Sequence, residues 1–144
     1  MEQVFKVSFQ VVVVEPRNPE FFPEIESRER YSLIDANYLA QAWGLEFPNL
    51  IPNQKRLKPE ALRLLLMDRS TTAEWLQMAV KVSDAYWHGE FPVLHKLITR
   101  GEALDPFDVA SKLRENTEQL YKAGYFQGSS IHYRGEWYWS LDRL

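Results

Sequence analysis

Residues 105–139 read DPFDVASKLRENTEQLYKAGYFQGSSIHYRGEWYW, and a change of structural period inside this stretch decides the fold. Asp105-Pro106 opens a helix, because proline suits a first turn in which its missing N–H would have had no partner. Ala110, Leu113, Thr117, Leu120 and Tyr121 continue at helical spacing, and Gly124 supplies the stop. The runs Ser130–Tyr133 and Glu136–Trp139 are then aromatic or β-branched around Arg134-Gly135, so they read as a β-hairpin.

Working towards the N-terminus, the helical period persists. Leu94, Leu97 and Ile98 mark a short helix ending at Gly101. Thr71 and Glu74 have the spacing of a capping box, and the helix they open carries Trp75, Met78, Ala79, Val82 and Tyr86 to a stop at Gly89. Pro59 is expected in the first turn of another helix, with Leu62, Leu65 and Leu66 as its apolar face. Ser27 opens a further one, in which Tyr31, Ile34, Tyr38 and Ala42 are spaced helically before Gly44. Pro16, Pro19 and Pro23 enforce an irregular stretch before it. Val4–Glu15, rich in Val and Phe, is expected to be a strand buried on both faces. The order is therefore strand, helical block, hairpin. The expected class is α/β in the broad sense (α+β): a small sheet, with residues 27–123 inserted as helices, in one domain spanning 1–144.

Composition limits function more than it assigns one. The 144 residues carry a net charge of −3, which argues against a phosphate-backbone binder. There are 0 cysteines, so disulfides, thiol catalysis by the chain's own residues and thiolate metal sites are excluded. Hydrophobic residues make up 45%, enough for a core. The run Val11–Val14 is too short to span a bilayer and lacks the flanks of a signal peptide, so a cytoplasmic protein is expected.

Ala85-Tyr86-Trp87, Leu113 to Glu118 (LRENTE), Gly124-Tyr125-Phe126, Gly135 to Trp139 and Asp142-Arg143-Leu144, in this order, resemble the DsbA-like thioredoxin domain. The branch is that of the 2-hydroxychromene-2-carboxylate isomerases and kappa-class glutathione transferases. Arg30-Tyr31 with Asp35 add weaker support, and the likeness runs from about Val7 to Leu144. It implies a thioredoxin-like sheet and glutathione as cofactor. It also implies a binding role for three residues. Asp142 matches the aspartate that holds the γ-glutamyl ammonium in such relatives, a task suited to charge-assisted hydrogen bonds. Gly128 and Ser129 match the segment that pairs its backbone with the cysteinyl part. Ser129 stands where the family has a cis-proline, and an ordinary trans bond is expected there. The family's first strand and nucleophile-bearing helix have no counterpart in these residues, so the expected sheet is incomplete and no catalytic residue is assigned.

Each singled-out residue also has a plainer role. Asp142 suits a helix N-cap, and Gly128 and Ser129 suit a loop and a strand start. Ser130 and His132 share a strand face but lack the context of a nucleophile elbow. His88, His95 and His132 show no zinc-site spacing and read as surface residues, and Glu24, Glu26, Asp105 and Asp108 as loop and helix-start acids. Trp75, Tyr86 and Trp87 read as core; the resemblance gives Trp87 the alternative of lining the hydrophobic acceptor cleft that such relatives have between helical block and thioredoxin core. Two functions follow: a glutathione-dependent isomerase, transferase or thiol oxidoreductase whose nucleophile comes from outside this chain, or a catalytically silent protein-interaction domain. In both, the edge of the Val4–Glu15 strand calls for a partner, either Ser130–Tyr133 or a second chain in a homodimer.

Overall fold

A computed structural model describes residues 9–15, 24–48, 52, 54–125 and 129–139. Its elements are α1 (Ile25–Ala42), α2 (Gln54–Leu65), α3 (Thr72–Trp87), α4 (Phe91–Thr99), α5 (Pro106–Lys122), β1 (Ser130–Tyr133) and β2 (Glu136–Trp139). The described part is thus mostly helical with one small antiparallel sheet, an α+β arrangement.

The core is built by α2, α3 and α4, with α5 laid against α2. Leu57, Ala61 and Leu64 form its α2 contribution, Met78, Val82 and Ala85 that of α3, and Leu94 and Leu97 that of α4. All follow i, i+3, i+4 or i+7 spacing, as one buried helix stripe requires. Two α2 expectations are corrected. The helix begins at Gln54, so Pro59 lies inside it as the sixth residue rather than in its first turn. The helix buries the stripe Leu57, Ala61 and Leu64; of the expected face Leu66, just past the helix end, is buried, whereas Leu62 and Leu65 are half-buried. The earlier start brings Leu57 into the helix, and α3 and α4 pack on the side that Leu57 shares with Ala61 and Leu64.

Local signals fix most ends. Thr71 accepts a hydrogen bond from the Glu74 amide at 3.2 Å, and the Glu74 carboxylate accepts one from the Ser70 amide at 3.1 Å. Such a cap contributes about 1 kcal/mol. Asp105 caps α5 by accepting from the Phe107 amide at 2.9 Å. The α1 start differs from expectation: Ser27 lies inside the helix, and Glu24 at the N-cap has φ 64° and makes no side-chain cap.

The hairpin has the expected bounds, with Ser130 opposite Trp139 and Tyr133 opposite Glu136. Its turn residues Arg134 and Gly135 have φ 52° and 84°, the double left-handed geometry that matches strand twist. The Trp137 ring stacks on Tyr125 with centroids 4.5 Å apart, and its Nε1–H donates to the Ala123 carbonyl at 3.3 Å. These contacts seat the hairpin on the end of α5.

The expected N-terminal strand is corrected over its described part. Residues 9–15 form no ladder; side chains hold their main chain instead. The Thr72 hydroxyl donates to the Phe9 carbonyl. Asn116 Nδ2 donates to the Val13 carbonyl at 2.8 Å, and the Glu15 amide donates to Thr117 Oγ1 at 3.0 Å. Backbone groups paired with helix side chains need no neighbouring strand at those positions. Residues 4–8 of the expected strand lie outside the described residues.

Candidate functional site

The side-chain clip on residues 9–15 shapes the first feature with the geometry of a site. Asn116 is buried on the α5 face, and Thr117 Oγ1 donates in turn to the Leu113 carbonyl at 2.8 Å while receiving the Glu15 amide. Beside them runs an open groove of about 390 Å³. Residues 9–13 form one wall, the α2–α3 connection with Trp75 another, and Lys112, Glu115 and Gln119 of α5 the third.

The groove is polar and of mixed charge. Lys112 Nζ stands 3.9 Å from Asp68 Oδ1, both near solvent. Arg69 turns its guanidinium inward: Nη2 donates to the Glu102 carbonyl at 2.8 Å and to the Leu64 carbonyl at 3.3 Å. Its buried Nε has no hydrogen-bond partner. Arg63 behaves similarly, with Nε donating to Leu104 O at 3.0 Å and Nη1 paired to Glu60 at 3.2 Å. Both arginines tie the α4–α5 connection to α2. Trp75 Nε1–H, donating to Leu65 O at 2.9 Å, closes the same corner. The Thr71 and Thr72 hydroxyls are committed to the Glu74 amide and the Phe9 carbonyl, and no histidine is among the described residues lining the groove. The groove can therefore hold polar main chain or a mixed-charge ligand by hydrogen bonds; it offers no hydroxyl–imidazole pair for acyl transfer.

Of the residues assigned to glutathione, Ser129 alone is described; Gly128 and Asp142 lie outside the described residues. Ser129 is exposed and has φ 57°, one residue ahead of β1, so it precedes the strand instead of starting it. The Ser130–His132 alternative has a structural explanation for its imidazole. The His132 ring stacks on Trp137 at 4.5 Å, leaving Trp137 between His132 and Tyr125.

The other histidines are helix-surface residues. His88 Nδ1 lies 3.2 Å from Asp84 Oδ1 at the end of α3, and His95 stacks on Phe91 at 5.9 Å. Among the described residues, no group of three or more His, Cys, Asp or Glu side chains is placed to hold a metal ion. No described helix is long and apolar enough to cross a membrane. Trp75, Tyr86 and Trp87 are each half-buried rather than fully internal. Trp87 meets Phe47 at 5.5 Å and Tyr86 edge-on at 5.8 Å, an aromatic cluster on the rim of the core. Burial pushes the Tyr86 hydroxyl above the usual tyrosine range, since loss of hydration penalises the phenolate.

Sequence reading gave Asn116 and Thr117 a place in a motif but no physical task. A signal was available: Asn116 follows Leu113 by three residues on the inward face, where an amide needs a buried partner. Which carbonyl it meets depends on chain 103 residues away. Comparison with family models, with curated proteins and with solved structures found no match for the chain.

Proposed function

We propose that the chain is a DsbA-like thioredoxin-type domain of the branch containing glutathione-dependent isomerases and kappa-class transferases. In this reading it is degenerate as a catalyst and retains part of a glutathione site at Gly128, Ser129 and Asp142. One observation carries the reading: the asparagine–threonine pair of the quoted motif, Asn116-Thr117, clips residues 13–15 to the helix that leads into the hairpin. That contact gives the motif a structural task joining both ends of the proposed domain. A thiolate would have to come from glutathione or from residues outside these 144, because the sequence holds 0 cysteines. The proposed setting is cytoplasmic, with a homodimer or a partner chain completing the sheet.

The second reading, a catalytically silent interaction domain, is favoured by the exposed aromatic side chains of α1. Glutathione titration followed by amide chemical shifts separates the two. The first reading expects weak saturable shifts at Gly128, Ser129 and Asp142 that vanish in Asp142→Ala. Flat shifts at those residues through millimolar glutathione refute it in favour of the second.

A further inference from the structure

Helix α1 makes no extensive contact with the other described elements, and although Ala40 is buried, its largest described apolar side chains are exposed. Tyr31 is 72% exposed, Ile34 51% and Tyr38 71%. With Ser27 and Gln41 these positions recur at alternating steps of four and three residues, the a/d stripe of a heptad. In that register Tyr31 and Tyr38 are a positions, and Ser27, Ile34 and Gln41 are d positions. A shallow depression beside the stripe is lined by Arg30, Leu33, Ile34, Asn37, Tyr38 and Gln41. Ile34, Asn37, Tyr38 and Gln41 are the four residues that surround an a-position knob from a parallel partner helix. The knob it fits is therefore Tyr38 of an identical helix in the same register.

Charge chooses the orientation. Exposed Arg30 occupies a g position and exposed Asp35 the following e position. In a parallel pair g meets e five residues on in the partner, so Arg30 faces Asp35 of the second copy, and symmetry repeats the pair. An antiparallel pair sets g beside g and e beside e, and the two charges do not meet. We propose that α1 is a dimerisation helix, pairing in parallel with α1 of a second copy through Tyr31, Ile34 and Tyr38 between two Arg30–Asp35 ion pairs. The stripe covers only two heptads, so association is weak and concentration-dependent. This interface is separate from any strand pairing by residues 9–15.

Sedimentation velocity of the full chain across the micromolar range tests it, with circular dichroism confirming the fold of each variant. The wild type should show a reversible monomer–dimer equilibrium. Arg30→Glu and Asp35→Arg should each weaken it about tenfold, because each puts two like-charge pairs at the seam. The double variant Arg30→Glu/Asp35→Arg should restore it, and Ile34→Asp should abolish it. A wild-type monomer at every concentration overturns the proposal. So does a dimer indifferent to the single reversals, which would place association elsewhere on the chain, or single losses that the double variant fails to recover.

Discussion

Replacing Asn116 by leucine probes the contact on which the N-terminal segment depends. The side chains are similar in size, so the helix and its packing are little disturbed, but the 2.8 Å bond to the Val13 carbonyl is lost. A hydrogen bond of this kind contributes about 0.5–1.5 kcal/mol net, and a half-buried carbonyl left without a donor raises the cost to about 1–3 kcal/mol. Asn116→Leu should therefore lower the unfolding free energy by about 1–3 kcal/mol in urea titration. The loss should also be local before it is global. Hydrogen exchange at the Glu15 amide, which donates to Thr117 Oγ1 at 3.0 Å, should speed up as residues 9–15 detach. Thr117→Val removes that acceptor directly. Because both variants release the same segment, their combined cost should fall short of the sum. If Asn116→Leu leaves both the urea midpoint and Glu15 exchange unchanged, the clip does not hold the segment and the structural task given to the motif is wrong.

Two further predictions concern the core and its rim. Leu64 is 0% exposed at the centre of the α2–α3–α4 cluster, so Leu64→Ala should cost about 2–5 kcal/mol in chemical denaturation; a loss below about 1 kcal/mol would mean the cluster is not the core. The raised pKa of Tyr86 means that folding favours its neutral hydroxyl. Its contribution is thus complete below the unfolded-state value near ~10 and is lost as pH rises through the higher folded-state value. Tyr86→Phe should flatten the alkaline fall in thermal midpoint while leaving the neutral-pH value little changed, and an unaltered alkaline slope would contradict the burial argument.

What could be read from sequence was whatever local chemistry dictates. The Arg134-Gly135 turn, the Thr71–Glu74 cap, the Asp105-Pro106 start and the glycine stops each act within a few residues, and their elements stand where the residues place them. Pro59 shows where that locality ends: proline is tolerated in a first turn, but helical packing starting at Gln54 placed it one turn further in. The valines of residues 11–14 have strand propensity, yet strand structure needs a backbone partner at long range. Here the side chains of Thr72, Asn116 and Thr117 take that place, from positions 63 to 103 residues away. The outward direction of Tyr31, Ile34 and Tyr38 was equally undecided, because a helical stripe states that one face is apolar and leaves open what covers it. Periodicity and capping belong to the sequence; the partner of each buried carbonyl, and the side of each helix that meets water, belong to the tertiary structure, because both depend on residues brought together only by folding.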